Sequence, residues 1–310
     1  TAEQATAIFE RAGERLPPPL RIFWFLSLYL RGLGEALAGT TAWEQPAAKA
    51  LALAERFDLP QERGFALLPA LVRACLCGDP EGFARAYAAV EEITRRLGFP
   101  HVLNSRLRLW TPTYYLERGE RELARATCTR LDALAKATRD TWIATYAAVY
   151  QGFDALSDGD LTRADALLTT ACEGARTKKL GRLTTALCAR GELLVSLRRF
   201  DEARPVLEEA FARATSPDTG TPYDEAIARR LMAHLPNEDA HTHLQRALAL
   251  CDEMKNPLQE GLACLELARH LAQHAQGAGA RAYADRARDR FSALGNKLQL
   301  QRVAELEGVL

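Results

Sequence analysis

The sequence predicts an all-α protein, a right-handed superhelical solenoid of helix–turn–helix repeats that takes in residues 1–310 as one domain. Three observations carry this. One pattern is written twice in phase: Gly152, Ala164, Leu168 and Ala171 return as Gly191, Ala203, Leu207 and Ala210, each 39 residues on. Aromatic residues are only 7% of the chain, while the helix formers Ala, Leu, Arg and Glu recur throughout. No strand-like alternation or domain linker interrupts the helical spacing. A helix pair with one apolar face cannot bury it alone, so neighbouring pairs must complete the core.

Taken in order, the chain divides into about seven helix pairs, beginning in mid-repeat. Ala5, Phe9 and Ala12 already carry the small–large–small stripe of a second helix. Pro17-Pro18-Pro19 ends that helix, because proline donates no backbone hydrogen bond and restricts its predecessor. A long helix over 20–37 follows, then a turn at Gly39-Thr40-Thr41 and a second helix bearing Ala47, Leu51 and Ala54. The next pair is marked by Leu71, the turn Gly78-Asp79-Pro80, Phe83, Tyr87 and Val90, and the one after by Tyr115, Gly119, Ala124, Cys128 and Leu131. In the two in-phase pairs, Gly152 and Gly191 let the first helix approach its partner closely, and Gly159 ends a helix in the left-handed conformation. The polar stretch 215–222 is the longest break. The sixth pair has Ala228, Ala240, Leu244 and Ala247 around Pro236-Asn237, and the seventh Ala268, Ala280, Ala284 and Ala287 around Gly277. A capping helix over 296–309 closes the stack with Leu298, Val303 and Leu306.

The Gly and Ala–Leu–Ala positions resemble the tetratricopeptide repeat, although these units run several residues longer than its usual ~34. Two passages resemble something narrower. They are Gly34-Glu35-Ala36-Leu37 with residues 41–48 and 56–68, and the stretch 220–226 with Arg229-Arg230-Leu231, 244–250 and 266–269. Both are similar to the C-terminal repeat region of large bacterial signalling ATPases of the STAND and AAA types, to adenylate-cyclase-associated regulators, and to LuxR-type and maltose-regulon activators. The resemblance implies a preceding ATPase and an output domain such as a cyclase, kinase or DNA-binding module. This chain has no Gly-x-x-x-x-Gly-Lys-Ser/Thr loop, so any ATPase lies elsewhere. An opening Thr1 in place of Met reads as an excised piece.

Forty basic residues balance forty acidic ones, which argues against a nucleic-acid or anionic-membrane surface. The pairs Arg95–Arg96, Lys178–Lys179 and Arg229–Arg230 read as solvated helix ends. Seven cysteines, an odd count among mostly apolar neighbours, point to buried free thiols and a reducing cytoplasm. The most apolar run, 22–30, is too short to cross a bilayer, and no signal peptide appears.

In such a stack the first helix of each pair lines the concave side. The expected binding surface is therefore Arg106, Trp110, Thr113 and Glu117, with Tyr114 and Arg108 nearby, then Trp142, Tyr146, Tyr150 and Phe153. Aromatic rings with a few charges suit a peptide or protein groove; alternatively, rings at helical spacing fill the space between helices. A small-molecule inducer held against Trp110, Trp142 and Tyr146, controlling an attached domain, is the second functional reading. Chemistry finds no foothold. His270 and His274 lie one turn apart but lack the glutamate and third ligand of a zinc site, and Cys75 and Cys77 point to different helix faces. Glu91–Glu92 and Glu208–Glu209 read as solvated carboxylates. The sequence thus predicts a non-catalytic interaction or sensor arm with no cofactor and no metal.

Overall fold

Two alternating kinds of turn set the period of the structure. The computed structural model describes residues 2–177, 183–217 and 220–310. At the turn inside each helix pair a residue takes positive φ: Gly39, Gly78, Gly119, Gly159, Arg198, Asn237 and Ala275, about every 39 residues. Between pairs, Asp58, Phe99, Arg139, Lys255 and Gly295 do the same. Several of these residues are followed by an Asp or Asn whose side chain accepts from the first turn of the next helix, as Asp140 does from the Trp142 and Ile143 amides and Asn256 from that of Gln259. Sixteen α-helices and no strand occur among the described residues, so the fold is an all-α stack of helix–turn–helix repeats.

The chain forms two compact units, 1–110 and 111–310. The first holds α1 (Ala2–Ala12), a 3-10 turn (Gly13–Arg15), α2 (Pro18–Ala38), α3 (Glu44–Arg56), α4 (Pro60–Cys77), α5 (Pro80–Arg96) and the start of α6 (His101–Glu117). The proline triplet does more than end α1: Pro17 precedes α2 and Pro18 opens it, where a missing N–H costs nothing. The core here is Phe25, Leu28, Leu68, Leu71, Leu103 and Leu107.

The second unit holds the end of α6, then α7 (Arg121–Thr138), α8 (Thr141–Ser157), α9 (Leu161–Thr177), α10 (Leu183–Ser196), α11 (Phe200–Ala214), α12 (Pro222–Met232), α13 (Ala240–Met254), α14 (Pro257–Gln273), α15 (Gly277–Ala293) and α16 (Lys297–Glu307). A Cβ on Gly152 would stand 2.6 Å from Leu168 Cδ2, and one on Gly191 would press Leu207 harder still. The in-phase glycines are thus where first and second helices nearly touch. In the seventh pair the left-handed residue is Ala275, and Gly277 begins α15. Lys178 and Lys179, and part of the 215–222 loop, lie outside the described residues.

All seven cysteines are free and buried. Burial pushes the Cys77 and Cys172 thiols up to about 11, Cys128, Cys251 and Cys264 to about 12, and raises Cys75 and Cys188 as well. Since the thiolate is the reactive form, none of the seven should react with a disulfide reagent at pH 8 in the native protein. In guanidinium all seven should titrate; fast native reaction of any one would contradict its placement.

Candidate functional site

The first helices of the second unit bring ionisable side chains together, though the sequence spreads them over nearly two hundred residues. Glu117 ends α6, Glu192 lies on α10, Arg230 on α12, Glu266 and Arg269 on α14, and Arg302 on α16. The unit closes on itself to make this meeting possible. Arg118 Nη1 donates to the Leu294 carbonyl at 2.9 Å, and the buried Asn296 donates through Nδ2 to the Glu117 carbonyl at 3.1 Å. The turn before α7 therefore rests on the turn before α16, with Gly119 against Leu298. A cleft of about 470 Å³ lined by Arg118, Glu120, Lys297 and Gln301 marks the junction.

Inside the ring, Arg230 is the anchor. Its Nη2 donates to Glu266 Oε1 at 2.7 Å and its Nη1 to Gln259 Oε1 at 2.8 Å. Both members of the ion pair are largely buried, at 13% and 12% side-chain exposure. Burial works against the Arg230 charge, but Glu266, Glu117 and Glu192 outweigh it and raise its pKa. The second oxygen of Glu266, Oε2, is buried with no hydrogen-bond partner, and His234 Nε2 stands 3.8 Å from it.

Around this anchor stand charges with less company. The Glu117 and Glu192 carboxylates have no hydrogen-bond or ion-pair partner among the described residues. Burial raises the Glu117 pKa, with Arg230 and Arg302 opposing it. Burial pushes Glu192 up to about 7, helped by Glu117 and Glu266 and opposed by Arg230 and Arg302. Yet Glu192 is exposed to water, so its burial is enclosure within a wet cleft and not sealing inside the core. Arg269 is also exposed, and desolvation lowers its pKa. Arg302 Nη1 reaches Gln299 Oε1 only at 3.4 Å. The inner face thus offers acids and bases of both signs to anything that enters.

The enclosure of Glu192 makes stability depend on pH. An unfolded Glu titrates near ~4.3, whereas Glu192 in the native state titrates at about 7. Between those values the native state binds more protons, so this group's contribution to stability falls as pH rises through the window. Glu192→Gln should leave stability unchanged at pH 4 and raise it at pH 8. Screening by the water around the side chain limits the gain to about 1 kcal/mol. Urea denaturation at the two pH values decides; equal effects at both would refute the enclosure of this carboxylate.

The expected aromatic groove has a different place. Trp110, Tyr114, Tyr146 and Tyr150 are buried at 5%, 5%, 6% and 2%, and Trp142, half-buried, meets Tyr146 edge-on with ring centres 4.7 Å apart. These rings fill space between helices. Thr113, Phe153 and Arg106 are half-buried, with Phe153 packed on the core of the second unit. Arg108 is buried and donates through Nε to Asn104 Oδ1 at 3.0 Å. Of the expected residues, Glu117 is the one the structure brings to the charged cluster. Arg230, read from sequence as a solvated helix end, is a buried ion-pair member, because α14 covers it; its neighbour Arg229 binds Glu225 at 2.7 Å. Arg95 and Arg96 are exposed and paired with Glu92, Glu91 lies 4.0 Å from Arg108, and Glu208 and Glu209 pair with Arg204 and Arg176. His241, His270 and His274 lie near one another, with ring centres 6.0 Å and 4.4 Å apart along the series. Among the described residues no group of three His, Cys, Asp or Glu is placed to hold a metal ion.

Sequence reasoning misses Glu192, Arg269, Arg230, Glu266 and Arg302. For the first of these a signal exists: Glu192 lies 39 residues after Phe153, in the same repeat register.

Comparison with known proteins adds the fold. No protein-family model and no curated protein matches the chain. The crystal structure of the apo form of RapI is similar, with a TM-score of 0.57 and 13% identity over 96% of this chain and 81% of that one. At such identity the likeness shows the architecture, a stack of helical repeats. No helix among the described residues is long and apolar enough to cross a membrane.

Proposed function

We propose that this chain is a non-catalytic interaction or sensor arm that grips a protein segment or peptide on the inner face of its second unit. The observation that carries this reading is the convergence of Glu117, Glu192, Arg230, Glu266 and Arg302 from five different first helices around one wet interior. Isolated charges held in an enclosed site are costly unless something pairs with them, and a peptide carries both signs at regular spacing. The resemblance to bacterial signalling ATPases supports a cytoplasmic setting, with occupancy relayed to an attached ATPase, kinase, cyclase or DNA-binding domain. The balanced charge of the chain supports partners other than nucleic acid or membrane. The inducer reading would need Trp110 and Tyr146 open to a ligand, and both are buried.

The test is selection of binders from a random peptide library displayed at pH 7.5, followed by affinity measurement on the wild type and on Glu117→Gln with Glu192→Gln. Selected peptides should lose at least tenfold in affinity on the double variant. Peptides that bind both proteins equally, or a library that yields none, would reject the inner face as the binding surface.

A further inference from the structure

Outside the inner face, the second unit pairs charges between successive repeats. Arg125 binds Asp154, Arg176 binds Glu209, Arg199 binds Asp165, Arg204 binds Glu238 and Arg286 binds Asp252. The inner face does this once, with Arg230 of α12 and Glu266 of α14. Its other charges are left over. Glu117, Glu192 and Arg269 have no hydrogen bond or ion pair among the described residues. Arg302 has its 3.4 Å reach to Gln299 Oε1 and no carboxylate among the described residues.

These four groups are sorted by sign. The acids come from α6 and α10 and the bases from α14 and α16, with the Arg230–Glu266 pair joining α12 to α14. α10 packs on α12 and α12 on α14, while the Asn296 bond to the Glu117 carbonyl brings α16 round to α6. Like charges meet on both sides. Glu117 adds to the upward push on Glu192, and Arg302 adds to the downward push on Arg269. Glu305, a further acid of α16, already accepts from Gln301 Nε2 at 2.9 Å. Two carboxylates set together, or two guanidiniums, are unfavourable until a counter-charge joins them. Glu192, Arg269 and Arg302 are exposed, so a counter-charge can reach them from solution.

We infer that the peptide segment held on this face carries a basic side chain, received by Glu117 and Glu192, and a carboxylate, received by Arg269 and Arg302. This selection rests on the inner face being the binding surface proposed above, and it states what that surface chooses. A guanidinium or ammonium brings enough N–H donors to serve both acids, and a carboxylate has two oxygens to accept from both arginines. Arg230, with Nη1 and Nη2 already engaged, keeps to its own pair. A segment of one sign alone is repelled by one side of the face, so the arrangement rejects as well as attracts.

The probes are peptides selected from the random library on the full chain, resynthesised with single changes. In one set the basic residue becomes norleucine. In another each acidic side chain becomes its amide, and in a third the C-terminus is amidated, which tells a side-chain carboxylate from a chain end. Affinities are measured on the wild type, on Glu117→Gln with Glu192→Gln, and on Arg269→Gln with Arg302→Gln. On the wild type, loss of the basic residue and loss of the carboxylate should each cost about tenfold, the scale of a charge-assisted hydrogen bond. The first change should cost nothing further on the glutamate variant, and the second nothing further on the arginine variant. Arg269 and Arg302 are exposed, so the arginine variant should keep the wild-type circular dichroism and serves even where the glutamate variant does not fold. Selected peptides that lack a basic residue, or changes that cost the same on all three proteins, would overturn the selection. If such peptides still weaken on the glutamate variant, the inner face remains the binding surface and its chemistry is other than stated. A library that yields no binder rejects both.

Discussion

Arg230→Met should cost about 3 kcal/mol at neutral pH, the low end of the penalty for removing one member of a buried ion pair. The reason is the set of groups left behind. Glu266 loses the partner of Oε1 while Oε2 already has none, and Gln259 Oε1 loses its donor. The arginine also opposes the upward shifts of Glu117 and Glu192. Without it their folded pKa values rise further above the unfolded value. The extra penalty is present above the folded pKa and vanishes below the unfolded one, so the deficit should grow as pH rises from 4 to 8. Arg230→Lys should recover only part, because an ammonium cannot reach Glu266 and Gln259 with two separate N–H groups in the same plane. The informative rescue is Arg230→Met with Glu266→Met. Replacing both partners by apolar groups of similar size removes the orphan charge, and stability should return to within about 1 kcal/mol of wild type. Denaturant unfolding of the four proteins reads the cycle. If the double variant is as unstable as the sum of its single substitutions, the pair is not coupled as described.

The repeat was legible in the sequence because its marks are local. Gly152 and Leu168, or Gly191 and Leu207, lie within one helix pair, and their spacing is set by a turn whose length barely varies. The charged interior was not, for two physical reasons. Adjacent residues on a helix point about 100° apart, so nothing in Arg229-Arg230 says which one faces inward until the rotation of α12 is fixed by its neighbours. An arginine destined for a buried carboxylate also looks, in sequence, like one destined for water. Its partner Glu266 is on another repeat and is found only when the unit closes. The aromatic expectation missed for a related reason. Trp110 and Tyr150 occupy the register that Ala189 holds in the next pair, a position turned toward neighbouring helices and buried in all three. Thr113 and Phe153 share their repeat register with Glu192, Leu231 and Arg269 of the later pairs.

Gly191→Val should be the most damaging single substitution among the glycines of the second unit's helices. A Cβ there would approach Leu207 Cγ to 2.7 Å with Cδ2 nearer still, and Leu207 is wholly buried in the core of the second unit. Valine adds two further methyl groups to that clash. Overpacking of this kind costs about 1–3 kcal/mol and occasionally more, and the modest gain in helix propensity over glycine, a few tenths of a kcal/mol, offsets little of it. Leu207→Ala alone opens a cavity and should cost about 2–5 kcal/mol. Together the two changes should be milder than their sum by at least about 1 kcal/mol, because the alanine vacates the volume the valine needs. Gly34 supplies the control. It lies within α2 on an exposed face, and a Cβ there meets nothing within 4 Å. Gly34→Ala should therefore stabilise by about 0.5–1 kcal/mol through the unfolded chain's lost freedom. Opposite signs at two helical glycines, read by the same denaturation, would show that close approach between α10 and α11 and not backbone propensity fixes Gly191. Strict additivity of Gly191→Val and Leu207→Ala would mean the two helices can part to admit the larger side chain, and the repeat contact would then be softer than its geometry states.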